Sequence, residues 1–215
     1  MVKVSLIVPC YKRPERTLRA MVNVVSQDLQ GWEAFFIGDG CLDFKKALLK
    51  DTFLELQHEA EMKGNQIHTF NLEKNYGGWG YMARNRGIYH ACGRYTMFMD
   101  NDDEIMPNHF SNYYNFISKT ENDLCYFNTY IEPAKVIRVA ELEFGKIGHH
   151  EIIVKTECLR RIPQQTSNYG HDWEIIENLI KTGAKTQKSN NPYTYIVKAI
   201  GGYEGWVRND SNTID

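Results

Sequence analysis

Residues 94–104 read Arg-Tyr-Thr-Met-Phe-Met-Asp-Asn-Asp-Asp-Glu, an apolar run that stops abruptly in a cluster of carboxylates. Tyr95, Thr96, Met97, Phe98 and Met99 lack helical period and are rich in aromatic and β-branched types, so they suit a short buried strand. Asp100, Asp102, Asp103 and Glu104 follow at once. Acids this crowded repel one another unless water screens them or a cation binds. Ligands of open α/β sheets sit outside the carboxyl ends of the strands, which is where this cluster falls. Hard oxygen donors suit Mg²⁺ or Mn²⁺, with phosphate oxygens completing the shell. An acidic turn capping a helix that begins near Pro107 accounts for the same residues.

The rest of the chain supplies a matching scaffold. Residues 2–8 are a strand pattern ended by Pro9, and Leu18, Met21, Val22 and Val25 then recur at helical spacing behind Pro14. A second strand, 32–37, ends in Gly38-Asp39-Gly40, and such glycines mark a tight turn or a close backbone approach to a ligand. Phe44, Leu48, Leu49, Phe53 and Leu56 predict one long helix to about Lys63, stopped by Gly64-Asn65. A third strand, 66–70, completes a β-α-β-α-β order that fits right-handed crossovers and a mainly parallel sheet.

Asn75-Tyr-Gly-Gly-Trp-Gly80 is a glycine-rich loop opening another helix, on which Ala83, Gly87 and Ala91 form a stripe of small residues for close packing on the sheet. Backbone N–H groups of such a loop can cradle phosphate, and Arg84 and Arg86 lie just inside the helix. The loop is neither a P-loop nor a dinucleotide fingerprint. Phe110, Tyr113, Tyr114 and Ile117 predict a further helix. Then 124–131, 136–139 and 150–154 read as strands without helices between them, an antiparallel or mixed extension. Asp172 opens a helix carrying Ile175, Ile176, Leu179 and Ile180, where a carboxylate can also act as a cap. After a strand at 193–197, Gly201, Gly202, Gly205 and Trp206 form a tail that reads as a lid or a frayed end.

Length and charge narrow the class. The 215 residues fit one α/β domain, with about 1–105 as a nucleotide-binding half and about 106–215 as an acceptor-binding half. A net charge of −2 with mixed signs gives no footprint for nucleic acid. Cys10, Cys41, Cys92, Cys125 and Cys158 are widely spaced and read as reduced, core-filling thiols, so a cytoplasmic location is expected. No apolar run approaches the roughly 20 residues of a membrane span, and no signal peptide precedes the first strand pattern.

Taken in order, Val-Ser-Leu-Ile-Val-Pro-Cys-Tyr at 4–11, Ile-Gly-Asp-Gly-Cys-Leu-Asp at 37–43, Asn75 with Gly77, Ala83-Arg-Asn-Arg-Gly87, Phe98-Met-Asp-Asn-Asp-Asp103 with Pro107, and Asp172 before a helix resemble the family 2 glycosyltransferases. The resemblance spans about residues 3–182. It implies a GT-A, Rossmann-like α/β fold with a central, mainly parallel mixed sheet, and inverting transfer from a nucleotide sugar, UDP by default, to a glycan or other hydroxyl acceptor.

By the same resemblance, Pro9, Tyr11 and Asp39 line the base pocket, and Asn75, Gly77, Arg84, Asp100 and Asn101 belong to the nucleotide site. Asp100-x-Asp102 matches the Asp-x-Asp motif: Asp100 approaches the ribose, and Asp102, assisted by Asp100 and Asp103, binds the divalent cation, Mn²⁺ or Mg²⁺. Asp172 matches the general base. The chain departs from the family pattern at Gly38, Cys41 and His171. The C-terminal histidine that some relatives add to the metal site has no clear match, and His149 and His150 read as structural or surface residues. Trp79, Tyr81, Trp173, Tyr203 and Trp206 are candidates for stacking on sugar rings.

Two other readings use the same residues. A nucleotide-sugar or glycan binding module that has lost catalysis accounts for the departures at Gly38, Cys41 and His171. A sugar-phosphate nucleotidyltransferase calls for a glycine-rich basic loop after the first strand, where this chain has Pro9-Cys-Tyr-Lys-Arg-Pro14.

Overall fold

The computed structural model describes residues 1–167 and 170–198, apart from the side chain of His171. The tail glycines, Tyr203 and Trp206 lie outside the described residues. The elements are β1 (Val4–Cys10), α1 (Pro14–Val25), β2 (Trp32–Gly38), α2 (Leu42–Ala47), α3 (Asp51–Met62), β3 (Gln66–Asn71), α4 (Tyr81–His90), β4 (Tyr95–Phe98) and β5 (Glu104–Ile105). They continue with α5 (His109–Ile117), β6 (Leu124–Tyr126), β7 (Thr129–Ile131), β8 (Val136–Arg138), β9 (Ile152–Lys155), α6 (Thr156–Leu159), α7 (His171–Lys181), β10 (Thr186–Lys188) and β11 (Tyr195–Val197). Short 3₁₀ turns occupy Gly78–Gly80 and His149–Glu151.

A seven-stranded sheet has the order β10-β6-β9-β4-β1-β2-β3. The pairs β1–β2, β2–β3, β1–β4 and β6–β10 are parallel, and β9 runs antiparallel to β4 and β6. A second sheet, β5-β11-β7-β8, packs beside it. The expected mixed, mainly parallel α/β architecture is therefore present. Successive residues of β1 and β2 serve opposite faces. Val4, Leu6, Val8, Trp32, Ala34 and Phe36 join the core under α1, α3 and α5. Phe35 and Ile37 meet Ala83 on α4, and Ile7 meets Phe98 and the α7 side chains. Both faces are covered, so these strands read as continuous apolar runs.

Four boundaries differ from the sequence expectation, each for a local reason. Pro9 does not end β1. Its side of the strand is that of Ile7, whose carbonyl accepts Met99 N–H at 3.0 Å, and pairing with β4 has ended by then, so the missing N–H disturbs no ladder. The single helix expected from about residue 44 is two helices. Phe44 and Phe53 are both buried, yet nine residues is about 2.5 turns, which on one straight helix aims them oppositely. The strand expected at 124–131 splits between the two sheets at Phe127, whose ring stacks on Tyr113 at 3.8 Å. The strand expected from residue 150 begins only at Ile152, after the His149–Glu151 turn.

The order places the site. The chain builds outward from β1 through β2 to β3, then returns to set β4 on the other side of β1. The crevice outside the carboxyl ends of β1 and β4 is thus the topological switch point.

Candidate functional site

A cavity of about 780 Å³ opens at that switch point. It is lined by Pro9, Tyr11, Asp39, Asn75, Gly77, Arg84, Asp100, Asn101, Asp102 and Asp172, residues drawn from the ends of β1, β2 and β4 and from the starts of α4 and α7. Of the residues assigned from the sequence to the nucleotide, the metal and the general base, Asp103 alone is missing from this lining. His149, His150 and Arg138 line the cavity as well, and none of them was picked.

On the β2 side, Asp39 fastens the glycine loop. Its carboxylate accepts the Tyr76 and Gly77 N–H groups at 2.9 and 3.0 Å and Asn75 Nδ2 at 3.1 Å. Gly38 has a packing reason: a Cβ there would fall 2.2 Å from Asn71 Oδ1 and 2.4 Å from the Phe44 ring. Cys41 Sγ accepts the Lys12 N–H at 3.1 Å, joining the ends of β1 and β2. Residues 77–80 all have positive φ, Trp79 included at +51°. A bulky residue held there costs about 1–3 kcal/mol, and its indole, 68 % exposed at the cavity lip, regains little by burial. Trp173 also lines the cavity, while Tyr81 does not.

At the floor, a chain of charged groups runs across the cavity. Arg84 is buried, donates to Trp79 O at 2.8 Å and Gln165 Oε1 at 3.2 Å, and lies 4.0 Å from Asp100 Oδ1. The same Asp100 oxygen is 3.2 Å from His149 Nε2, and His149 Nδ1 is 2.5 Å from Asp172 Oδ1. Burial is the largest influence on His149 and works against its charge, but Asp172 and Asp100 together overcome both burial and the repulsion of Arg84 and raise the imidazole to about 9. Burial likewise works against charge on Asp100, yet His149 and Arg84 hold its carboxyl well below the usual range. His150 sits next to this chain with its ring stacked on Tyr195 at 4.9 Å, and burial with neighbouring His149 and Arg138 lowers it to about 3.

The remaining acids divide by direction. Asp102 pairs with the Arg13 and Arg16 guanidinium groups, and Arg19 donates to its backbone carbonyl. Asn101 turns inward and donates to Thr17 Oγ1 at 2.9 Å. Asp103, expected as an auxiliary metal ligand, faces away from the cavity. It accepts the Tyr195 hydroxyl at 2.8 Å and the Lys198 N–H at 2.9 Å, joining the end of β11 to the acidic loop. Burial, with repulsion from Asp100, raises it to about 8 against those two bonds. One oxygen of Asp100 and one ring nitrogen each of His149 and His150 also lie within 4.8 Å of one another, a donor set that suits a divalent cation chemically.

Known proteins share this frame. WfaP of Escherichia coli, named as a UDP-Glc:alpha-D-GlcNAc-diphosphoundecaprenol beta-1,3-glucosyltransferase, is 24 % identical over 202 residues, 89 % of this chain and 76 % of WfaP. The S. aureus TarS 1–349 structure in complex with UDP-GlcNAc superposes with a TM-score of 0.72 at 18 % identity, over 94 % of this chain and 60 % of that one. The mannosyltransferase PcManGT from Pyrobaculum calidifontis, in complex with GDP-Man and Mn²⁺, gives 0.72 at 14 % identity over 90 % and 56 %. The fold is GT-A. Other curated relatives that carry glycosyltransferase names are longer, and the matched segment is 14 to 36 % of their length. The model of the family described as "Glycosyl transferase family 2" matches residues 5–177, and with that match over most of its length the chain belongs to this family.

Proposed function

We propose that the chain transfers a sugar from a nucleoside-diphosphate sugar, a UDP-sugar by preference, to a hydroxyl of a glycan or other acceptor, by a single inverting displacement assisted by a divalent cation. One observation carries this reading: Asp172, His149 and Asp100 form a continuous chain across the floor of a cavity that Pro9, Asp39 and the Asn75–Gly77 backbone close on the other side. The UDP preference follows the names of WfaP and of the TarS complex.

The roles divide by position. Pro9, Tyr11 and Asp39 face the base, with Asn75, Gly77, Asp100 and Asn101 around the ribose and diphosphate and Arg84 behind Asp100. A bound cation supplies Lewis-acid stabilisation of the leaving diphosphate. Arg13, which caps the start of α1, and Arg16 in its first turn both pair with the cavity-lining Asp102 and add positive charge where negative charge develops. Asp172 accepts the acceptor hydroxyl's proton as attack proceeds, and His149 fixes the orientation of its carboxylate. The non-catalytic alternative loses part of its support, because Gly38 is explained by packing against Asn71 and Phe44. Among the described residues no helix is long and apolar enough to cross a membrane.

The test is a thermal-shift panel of UDP-, GDP- and dTDP-sugars with Mn²⁺, Mg²⁺ or chelator, followed by donor turnover. A ligand at 100 times its Kd stabilises the native state by about 2.7 kcal/mol. A stabilisation that requires both a UDP-sugar and the cation, with turnover, is expected. Stabilisation by no donor, or donor binding without turnover under any metal, would overturn the transferase reading.

A further inference from the structure

The sheet order sets β9 beyond β4 from β1 and β2, so the turn before β9, and whatever pairs with it, stands on the far side of the cavity from Asp39. That side is walled by β8 and the loop after it, through Arg138, Phe144, Gly145 and Ile147, beside Asp172 and Trp173 at the start of α7. The loop is pressed against α7. Gly170 has φ +88°, and a Cβ there would fall 2.8 Å from the Phe144 ring. Ile147 is buried in the apolar cluster on which Trp173 packs. Phe144 stays 57 % exposed, an uncovered ring in contact with the residue two before the proposed base.

Arg138 is the residue of this wall that calls for a ligand. On β8 it stands opposite Thr129, whose hydroxyl donates to Glu151 Oε1 at 2.9 Å, and the Arg138 Nε lies 3.6 Å from that same oxygen. Glu151 Oε2 accepts the Gly148 N–H at 2.7 Å, so shorter bonds engage both carboxylate oxygens. Arg138 thus has a counter-charge, yet its guanidinium makes no hydrogen bond among the described residues, although the side chain is only 17 % exposed. Its nitrogens are not sealed in the interior either. Other arginines at the cavity are committed: Arg84 donates to Trp79 O and Gln165, and Arg13 to Asp102. Five N–H donors in a planar fork match the paired oxygens of a carboxylate or a phosphate.

We propose that this wall is the acceptor subsite and that it selects an anionic sugar: the apolar face of the ring lies on Phe144, and an acid group of the acceptor, carboxylate or phosphate, is held by Arg138. An exposed aromatic ring suits the C–H face of a pyranose. Glu151 does not line the cavity, so an anion entering there meets the guanidinium and not the carboxylate behind it. Of the acids that do line it, Asp172 is engaged by His149, and Asp100 by His149 and Arg84. The donor's diphosphate has other cations, since Arg13 and Arg16 gather at Asp102 beside α1. The inference rests on the transferase reading in naming the occupant an acceptor; the anion subsite itself is testable by binding alone.

The experiment is a saturation-transfer NMR titration of the chain, with and without excess UDP, using matched probes: methyl β-D-glucuronide against methyl β-D-glucoside, and α-D-glucose 1-phosphate against methyl α-D-glucoside. Excess UDP keeps the probes out of the nucleotide site. The charged member of at least one pair should bind at least about 10-fold tighter than its neutral partner, by a margin that shrinks with added salt, and that pair names the acid group. Arg138→Gln should bring the charged probe to within about 2-fold of the neutral one while UDP affinity stays within about 3-fold, and Phe144→Ala should weaken both members alike. Equal binding of charged and neutral probes, no binding of any probe, a preference that survives Arg138→Gln, or a loss of UDP affinity as large as the loss of the charged probe would each overturn the subsite. The comparison within the parent chain needs no variant, so it decides even if Arg138→Gln does not fold. UDP binding without an anion preference would remove the subsite and leave the transferase reading, whereas an anion preference in a chain that answers to no nucleotide sugar would do the reverse.

Discussion

His149 Nδ1 and Asp172 Oδ1, 2.5 Å apart, couple the proposed base to a histidine on the turn before β9. Asp172→Asn keeps an oxygen that can accept the Nδ1–H but removes the basic carboxylate. Transfer should fall by about 10²- to 10⁴-fold while donor affinity stays within about 3-fold. Single-turnover kinetics beside donor binding checks this, and transfer near the parent rate would reduce Asp172 to a positioning residue. The aspartates were legible in the sequence because strand ends and helix starts mark their own positions. His149 and His150 were not. Their signal is the antiparallel return of β9 along β4, a pairing between segments some fifty residues apart that no local pattern announces. The direction of Asp103 was hidden for the converse reason: adjacent to Asp102 in sequence, it points the other way, because the chain turns there toward β5 and the end of β11.

At the scale of elements, the periodicities that located β1 to β4 and α4 held because each reports a buried face. Helix α4 is the sharpest instance. Gly87 lies on Ile7 so closely that a Cβ would meet its side chain at 2.6 to 3.0 Å. Gly87→Ala should therefore destabilise the chain by about 1–3 kcal/mol through overpacking, less up to about 1 kcal/mol that alanine returns to a helix. Urea denaturation checks this; a neutral or stabilising outcome would mean that α4 can lift from the sheet at no cost. Where sequence pattern misjudged an element, a tertiary partner decided. The Phe127 stack on Tyr113 divides β6 from β7, and the shared core beneath Phe44 and Phe53 divides α2 from α3. Strand β10, three residues with no apolar run, exists by pairing with β6 and has little pattern of its own.

Over the whole molecule, the second sheet is bound to the first through the start of α5 and the segment leading into β11. His109 is central to that junction. Fully buried among Phe110, Tyr113, Phe127 and Tyr195, it shares a 2.8 Å hydrogen bond with Thr194 Oγ1, while its Nε2 has no partner among the described residues. Burial lowers it from 6.5 to about 3 against the Thr194 bond. The unfolded chain therefore takes up a proton below about pH 6.5 that the folded chain refuses until about pH 3, and stability falls as pH falls through that window. At about 1.36 kcal/mol per unit, lowering the pH to about 5 costs roughly 2 kcal/mol from this residue alone. His109→Phe fills the same space and cannot titrate. It should lose a constant increment for the orphaned Thr194 hydroxyl, yet depend on pH less than the parent does between about pH 7.5 and 5, by roughly that 2 kcal/mol. Denaturant unfolding of both proteins at the two pH values reads the difference directly. Parallel pH dependence would mean that His109 is protonated within the fold, with the junction between the sheets open to water.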